Sequence, residues 1–463
     1  MQLTDFLFLF AFLPAALICA ALTGNRPHAR NALLLAMSVL FCAASGLPGL
    51  LAAAIEILAA FFFGRALERA GEPKRRKCIL ALGIVFAAGL LCYFKYTNFI
   101  LQTLRLPKVS VLPAPVGVSF LTFLLISYLA DVYRGRIPAE TRFSRFFLYA
   151  LYFPKAAQGP LCRYGDFSAQ LDGCTQDAAL PDEGVSRLIL GLGKKVLLSG
   201  AAGAVAKDAF GLPAASLTPV YAWAGAICYA MQLYFDFSGY SDMALGLGLL
   251  FGVQLPENFR HPYCAGSVTE FWRRWHMTLS GWFRDYVYIP LGGSRKGRAR
   301  TVFNKLLVFL ATGLWHGTGW TFVLWGLWHG AFCGAETLLD RNKTLKTHWY
   351  GHVYTLLVVI FGFVLFRAES LPQALMLLRT MLSGFTPVDA CRLALRNLLT
   401  VRTAVWCFVG VLACLPVWEH AKARFDGSRW FSPALDALTI VGLLLCLMQL
   451  ASHSFQPFIY ASF

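Results

Sequence analysis

Long apolar runs separated by short polar turns are the main pattern along this chain. A helix needs about 20 mostly apolar residues to cross a bilayer, and several of the runs reach that length. The clearest runs are residues 4–22, 31–63, 78–93, 116–130, 220–234, 306–327, 354–366, 405–417 and 437–450. The second of these is long enough for two helices. We therefore predict an all-α polytopic membrane protein with about eleven transmembrane helices.

The composition favours one integral membrane domain over residues 1–463. Of the 463 residues, 57% are hydrophobic and 14% are charged, whereas about a quarter of a soluble domain is charged. We divide the domain into N-terminal spans (1–112), a region rich in proline, glycine and intramembrane charge (113–336), and C-terminal spans (337–463). Residues 1–22 lack a basic start and a small-residue cleavage site, so we interpret them as the first span.

The net charge of +17 comes mostly from clusters of Lys and Arg at 65–77, 134–145, 295–305 and 341–346. Basic loops between spans are typical of the cytoplasmic side of a membrane protein. We therefore expect the lipid bilayer, including anionic lipids, as a partner, and no nucleic acid. The 13 cysteines lie mostly in apolar runs without C-x-x-C spacing, which is typical of small buried side chains, and no metal site is predicted.

Polar groups inside a membrane are costly, so those in the middle region are expected to line a cavity or an interface. The first such motif is Phe-Pro-Lys-Ala-Ala-Gln-Gly-Pro at 153–160. Its two prolines and its glycine prevent a continuous helix. Two alternatives remain, a broken re-entrant segment covered by protein or an ordinary loop between spans.

A second motif places two carboxylates around a Ser-Gly-Tyr-Ser turn at 238–241. Asp236 and Asp242 could bind a cation or orient a histidine. We favour a structural role for Asp242, as the cap of a helix that begins near Ser241. Asp236 is kept as a candidate substrate-binding residue.

The third motif predicts one helix with two different faces. Arg273, Arg274 and His276 lie on one face, where the arginines could contact the phosphates of a nucleotide-bearing donor. The other face is apolar and repeats at helical spacing, and it carries Phe271, Trp275, Leu279 and Trp282. Such a helix is expected to lie in the membrane interface, either as a plain anchor or with His276 reaching into the protein.

The fourth motif contains two histidines among tryptophans and glycines. His316 follows Trp315 inside a long apolar run, and His329 comes after the Gly-Thr-Gly sequence at 317–319. The glycines should place the two histidines on different arms of a hairpin. Imidazole can take and return a proton near neutral pH, which favours catalysis over a buried structural role.

These motifs, taken in order, resemble the membrane-bound O-acyltransferase family, in the branch that acetylates alginate and related polymers. The resemblance covers most of the chain. The matching segments are residues 6–10, 13–14, 115–120, 127–128, 131–135, 159–160, 163–164, 193–195, 234–243, 256–259, 271–280, 284–286, 289–293 and 313–317. Lys155 and Gln158 differ from the pattern expected of the family.

The resemblance implies a ring of helices, with re-entrant and interfacial helices, around a thinned centre and a central tunnel. Its signature histidine corresponds to His316, a second functional histidine to His276, and His329 is a weaker match; with Trp315 we place His329 among the substrate-binding residues. The implied donor is a cytosolic thioester, with acetyl-CoA expected as a substrate and no bound cofactor. The implied acceptor is an extracytoplasmic polysaccharide, acetylated by a separate SGNH-type transferase. The expected location is the bacterial inner membrane.

The C-terminus adds one further candidate. The chain ends Pro-Phe-Ile-Tyr-Ala-Ser-Phe, which resembles a short tyrosine motif of this branch. Tyr460 is either an interfacial aromatic anchor or a relay that carries the acetyl group as a phenyl ester.

The mechanistic hypothesis assigns proton abstraction to His316 and thioester positioning or oxyanion stabilisation to His276. Three alternatives are D-alanyl transfer to teichoic acid, a transporter, and a scaffold for an outer acetyltransferase. The absence of visible internal repeats speaks against a transporter, and the buried histidines speak against a scaffold.

Overall fold

The computed structural model describes residues 1–24, 26–173, 180–340, 342–384, 387–425, 428 and 430–452. Within these ranges the chain is helical and contains no strand. It forms two compact units, Met1–Leu188 with Tyr240–Glu257, and Ile189–Gly239 with Asn258–Phe463. The prediction of a single membrane domain stays a prediction.

The first unit is built mainly from the N-terminal helices. Their bounds are α1 Leu13–Thr23, α2 Pro27–Ala43, α3 Leu47–Arg69, α4 Pro73–Thr103, α5 Val118–Tyr133, α6 Phe143–Leu151, α7 Tyr164–Ser168 and α8 Leu180–Gly193. A π-helical segment, Phe8–Phe12, precedes α1. Proline stands in the first turn of several of these helices. A backbone N–H in that turn would have no partner within the helix, so the lack of one in proline costs nothing there.

The second unit contains most of the remaining helices. Their bounds are α9 Gly200–Phe210, α10 Pro219–Leu250, α11 Val268–Arg274, α12 Met277–Phe283, α13 Gly297–His316, α14 Trp320–Leu338, α15 Asn342–Lys346, α16 Trp349–Arg367, α17 Leu371–Leu382, α18 Val388–Leu398, α19 Val401–Cys414, α20 Val417–Phe425 and α21 Phe431–Ala451. Shorter segments are the π-helices Lys194–Ser199 and Arg284–Tyr288 and the 3₁₀-helices Ala214–Ser216 and Pro262–Cys264. Helices α8 and α10 contribute residues to both units.

Helix α5 forms the centre of the first unit and is buried along nearly its whole length. Glycines on the neighbouring helices let it approach closely. A Cβ on Gly64 of α3 would lie 2.7 Å from the Tyr128 hydroxyl, and one on Gly83 of α4 would lie 2.8 Å from Leu129. Small residues at such contacts are typical of helices packed inside membranes.

A broken segment, residues 152–163, joins α6 to α7 without regular helix. It is buried, and neighbouring side chains meet its backbone groups. The Phe153 N–H donates to Ser38 Oγ at 3.1 Å, and the Tyr240 hydroxyl donates to the Pro154 carbonyl at 3.3 Å. Of the two alternatives for this motif, the structure therefore has the broken segment covered by protein.

Lys155 and Gln158, the two residues of the broken segment that differ from the expected family pattern, are both buried. Lys155 Nζ donates to the Tyr149 carbonyl at 2.7 Å and lies 4.5 Å from the centroid of the Tyr149 ring. Gln158 is 3% exposed, and neither polar atom of its amide has a hydrogen-bond partner in the described chain. Lys155 thus bonds a backbone carbonyl in the last turn of α6, whereas the Gln158 amide has no such role.

Helices α13 and α14 form a hairpin whose close contact depends on glycine. A Cβ on Gly313 would lie 2.4 Å from the Phe322 carbonyl oxygen, and one on Gly326 would lie 2.3 Å from the Phe309 carbonyl oxygen. At the bend, a Cβ on Gly317 would lie 2.1 Å from the Phe322 ring. The glycines that end the first helix therefore also let the second helix fold back on it.

The described chain has five helices long and apolar enough to cross a membrane, or six if a pair bent by 92° is one span. They are Leu47–Arg69, Pro73–Thr103, Pro181–Phe210, Trp349–Arg367 and Phe431–Ala451, with Asp389–Leu398 and Val401–Cys414 as the bent pair. Two further apolar helices, Phe8–Thr23 and Val118–Tyr133, belong to a shorter class of 10–17 residues and are not counted as spans. The membrane class is confirmed, and the count of about eleven spans stays a prediction.

The predicted Ser-Gly-Tyr-Ser turn is wrong, because α10 runs without interruption through residues 238–241. Gly239 serves close packing, since a Cβ there would lie 2.7 Å from the Gly191 carbonyl oxygen. The predicted capping role of Asp242 is also wrong. Its carboxylate accepts a hydrogen bond from Arg187 Nε at 2.9 Å.

Candidate active site

Residues 268–283 form two helices rather than the one helix predicted. His276 has φ +44° and separates α11 from α12, each of seven residues. The apolar side chains predicted to face the membrane interface are buried in the protein, including Phe271 at 0% and Trp275 at 3% exposure. The prediction of one continuous helix is therefore wrong, because the left-handed His276 redirects the chain, and the interfacial location stays a prediction.

Asn258 fixes this turn from both its side chain and its backbone. Its Oδ1 lies 3.1 Å from His276 Nδ1 and also accepts from the Thr278 hydroxyl at 2.9 Å. Its carbonyl oxygen accepts from the Met277 N–H at 2.9 Å. Because an amide oxygen accepts, Nδ1 of His276 carries the proton and Nε2 is the basic nitrogen.

The His276 imidazole is 2% exposed and packs edge-on against the Phe237 ring at 4.5 Å between centroids. The turn that carries it lies outside the spanning helices. Burial lowers the pKa of His276 to about 3, because the charged form would be desolvated. The side chain is thus held neutral and in a defined orientation.

Glu336 of α14 anchors the start of α11. Its carboxylate accepts from the N–H groups of Val268 and Thr269 at 2.7 and 2.9 Å, and from the Thr269 hydroxyl at 2.6 Å. Ser267 caps the same helix by accepting from the Glu270 N–H at 3.1 Å. These bonds satisfy helix N–H groups that have no partner within the helix.

The two candidate donor-binding arginines differ in their surroundings. Arg274 donates to the Glu270 carboxylate at 2.7 Å. Burial raises the pKa of that carboxyl, but the Gly266 N–H and the Arg274 guanidinium outweigh burial and hold it below its usual range. Arg273 is exposed and has no ion pair within the described ranges. Of the two, Arg273 is therefore available to an incoming anion.

His316 is the last residue of α13 and lies in an aromatic enclosure. Its ring centroid is 4.6 Å from that of Trp315, 5.0 Å from Trp325 and 5.1 Å from Phe366. Trp315 in turn lies 6.5 Å from His276. The indole of Trp315 therefore contacts both histidines.

His329 lies on α14, on the other arm of the hairpin from His316, as predicted. It is fully buried, with the Trp272 and Trp325 rings at 5.0 and 5.3 Å between centroids. A Cβ on Gly362 of α16 would lie 2.4 Å from His329 Nε2. Neither ring nitrogen has a hydrogen-bond partner among the described residues.

These contacts define the histidine cluster, which consists of His276, Trp315, His316, Trp325 and His329. All five side chains are at most 6% exposed. The cluster contains three imidazoles joined by two indoles, with apolar rings around them. Such an enclosure excludes water and can strengthen electrostatic interactions with a bound substrate.

Asp236 lies outside the histidine cluster. Its buried carboxylate pairs with Lys195 Nζ and accepts from Ser199 Oγ at 3.4 Å. Its role in binding substrate stays a prediction. Tyr460 falls outside the described residues. In the described ranges, no group of three or more His, Cys, Asp or Glu could hold a metal ion.

Sequence reasoning missed Asn258, Glu336 and Gly362 as residues that support the site. Asn258 stands in the segment 256–259 that carries the family resemblance, which was a usable signal. Glu336 and Gly362 act across long sequence separations, and no local pattern marks them.

Comparisons with known proteins relate this chain to several acyl-transferring enzymes. The family model of the membrane-bound O-acyltransferases matches residues 140–377. The chain is 36% identical to a probable alginate O-acetylase of Pseudomonas putida, over 98% of this chain and 99% of the relative. It is 34% identical to a peptidoglycan O-acetyltransferase of Helicobacter pylori, over 84% and 81%. A teichoic acid D-alanyltransferase of Bacillus subtilis is 27% identical over 55% and 69%.

Proposed function

Because this chain belongs to the membrane-bound O-acyltransferase family, we propose that it transfers acetyl groups from a cytosolic thioester toward a polysaccharide outside the cytoplasm. The two acetyl-transferring relatives match most of the chain, whereas the D-alanyltransferase matches about half of it. This difference favours acetyl over D-alanyl transfer. The proposed location is the bacterial inner membrane.

The histidine cluster is the observation that carries this proposal. His276, His316 and His329 are buried among the same aromatic rings, with Trp315 between the first two and Trp325 between the last two. Burying an ionisable side chain in a membrane protein costs free energy. Such a side chain is therefore a candidate for a function that offsets this cost. Three such side chains joined through two indoles favour proton transfer over a scaffold role.

The proposed reaction is acyl transfer from sulfur to oxygen. His316 takes the proton of an acceptor hydroxyl as the oxygen attacks the thioester carbonyl. The carbon–sulfur bond then breaks, and the thiolate leaves with the proton that His316 returns. The products are an acetyl ester and a free thiol.

The hydrogen bond to Asn258 narrows the role of His276. With the proton on Nδ1, Nε2 can accept a hydrogen bond but cannot donate one to an oxyanion. The neutral imidazole is therefore suited to positioning a hydroxyl or thiol group of a substrate. Of the two roles considered for this residue, positioning is the one that we propose.

The proposal also includes the acetyl donor and the protein partner that receives the acetyl group. Acetyl-CoA is the proposed donor, and the exposed guanidinium of Arg273 is the proposed contact for its phosphates. Outside the cytoplasm, Tyr460 would receive the acetyl group and pass it to an SGNH-type transferase. Tyr460→Phe removes the hydroxyl and keeps the ring, so normal polymer acetylation by that variant would contradict the relay.

The main test measures release of thiol from acetyl-CoA by the purified protein in vesicles, with a soluble oligosaccharide added to supply the acceptor hydroxyl. We expect His316→Ala to lower the rate by about a hundredfold or more, which is the usual contribution of a general base. His348→Ala, which changes an exposed histidine outside the cluster, should leave the rate unchanged. Equal rates in both variants would contradict the proposal.

A further inference from the structure

A polar cavity of about 150 Å³ lies in the second unit and shares no lining residue with the histidine cluster. Its polar and aromatic lining comes from the π-helix Lys194–Ser199 and from α10, α19 and α21. The main contributors are Lys195, Ser199, Gln232, Arg402, Trp406 and Gln449. Because roughly 10–15 Å³ of such volume holds one water, the cavity has room for a larger polar group.

The shape of the cavity follows from local sequence. The π-helical turn widens the helix at Lys194–Ser199, and such turns occur often at functional sites. Small side chains follow it, at Gly200, Ala201 and Ala204, and they line the cavity without filling it. The cavity is therefore produced by the π-helical turn and by the small side chains that follow it.

The charges of the lining favour an anion. Of the described residues that line the cavity, two are cations and none carries a carboxylate. Lys195 is already paired with the buried carboxylate of Asp236. Arg402 donates to Gln449 Oε1 at 3.4 Å and has no ion pair with any described residue. Among the described residues, the lining thus has one cation, Arg402, whose charge no carboxylate neutralises.

The mouth of the cavity lies beside the first turn of α19 and the last turn of α21, which are both apolar helices. Arg402 is the second residue of α19, and Gln449 is in the last turn of α21, a candidate membrane span. The side chains beside them are exposed, Val401 at 85% and Met448 at 69%. Apolar side chains in that position face lipid, so the mouth opens at the depth of the lipid headgroups.

We propose that this cavity binds the headgroup of an anionic phospholipid. Arg402 holds the phosphodiester at the mouth, because a guanidinium can donate two parallel hydrogen bonds to phosphate oxygens. The polar side chains deeper in the cavity, Ser199 and Gln232, hydrogen-bond the hydroxyl groups of the headgroup. The acyl chains of the lipid lie along the exposed faces of α19 and α21.

The test uses the full chain in a nonionic detergent, freed of lipid, with short-chain phosphatidylglycerol as the probe. Bound lipid is counted by native mass spectrometry, and the melting temperature is followed with increasing lipid. We expect the wild type to hold phosphatidylglycerol and to melt at a higher temperature with it, whereas phosphatidylcholine binds more weakly. Arg402→Gln should weaken phosphatidylglycerol binding about tenfold, since a charge-assisted hydrogen bond is lost.

Two matched variants separate the cavity from the general lipid surface. Arg396→Gln removes an arginine from the neighbouring α18, away from the lining, and should leave binding unchanged. Ala204→Leu fills the cavity without changing its charge and should weaken binding as Arg402→Gln does. The second variant keeps the test decisive if Arg402→Gln does not fold.

Three results would overturn the proposal. Equal binding by wild type and Ala204→Leu would place the lipid elsewhere. An equal loss in Arg402→Gln and Arg396→Gln would indicate unspecific attraction to basic residues. Full displacement of the lipid by equimolar inorganic phosphate would make free phosphate the ligand. The readout is binding, so none of these results bears on acyl transfer.

Discussion

The broken segment of the first unit and the histidine cluster of the second both place polar groups in a buried apolar setting, and they use them differently. Ser38 and Tyr240 bond to backbone atoms of the broken segment, and Lys155 bonds to a carbonyl in the last turn of α6 just before it. In the histidine cluster, His329 makes no hydrogen bond to the described chain. Its imidazole is held by packing against the Trp272 and Trp325 rings and Gly362.

The presence or absence of a hydrogen bond distinguishes buried polar groups with a structural role from those that are candidates for catalysis or substrate binding. A buried polar group that stabilises backbone lowers the free energy of the fold, whereas an unbonded one raises it. An unbonded group is therefore informative about function, provided that aromatic packing keeps it in place. Substitutions at Glu336, Asn258, Gly362 and Gln158 test this distinction, with expected effects that decrease from the first to the last.

The largest effect is expected at Glu336, a fully bonded group. Glu336→Ala leaves a buried and a partly buried N–H group at the start of α11 without partners, and each such loss costs about 1–3 kcal/mol. We expect the free energy of unfolding to fall by about 3 kcal/mol, measured by denaturation in detergent. Glu369→Ala, which removes an exposed carboxylate, is the control. Equal stability of the two variants would refute the anchoring role.

The next effect should appear in activity more than in stability. Asn258→Ala releases His276 from its orienting bond, and misplacement of a site residue by about 1 Å can cost a hundredfold in rate. We expect kcat for thiol release to fall about tenfold to a hundredfold. Asn258→Asp keeps an acceptor oxygen and should restore part of the rate. An unchanged kcat in Asn258→Ala would show that His276 needs no orientation.

A smaller effect is expected from crowding His329. Gly362→Ala puts a methyl group where His329 Nε2 now lies 2.4 Å away, and such overpacking costs about 1–3 kcal/mol. Melting temperature and thiol release should both fall. Gly442→Ala on α21 has nothing within 4 Å of the added methyl group and should be neutral. A fully active Gly362→Ala would mean that the position of His329 does not matter to the reaction.

Local patterns predicted the helical membrane class and the hairpin that separates His316 from His329. Both depend on short-range features, namely the length of apolar runs and the glycines after His316. The same approach failed at Gly239, where a glycine was interpreted as a turn and in fact allows close helix packing. A glycine in sequence does not reveal which of these two uses it has.

The predicted single helix at 268–283 failed for a tertiary reason. The apolar spacing is regular on both sides of His276, so no sequence signal marks the break. The break depends on Asn258, 18 residues earlier in the chain, which bonds the imidazole and the following turn. Contacts of this kind override local helical propensity.

The smallest effect is expected at Gln158, the exception within the broken segment. Its amide is 3% exposed and has no hydrogen-bond partner in the described chain. Burying an unbonded amide costs free energy, so Gln158→Leu should leave stability unchanged or raise it by about 1 kcal/mol. Lys155→Met is the contrast, because it removes the donor to the Tyr149 carbonyl and should destabilise the protein by a similar amount. Both variants are compared by melting temperature and by thiol release. If Gln158→Leu loses activity while its melting temperature is unchanged, the unbonded amide contacts a substrate and is a functional group like the unbonded imidazole of His329.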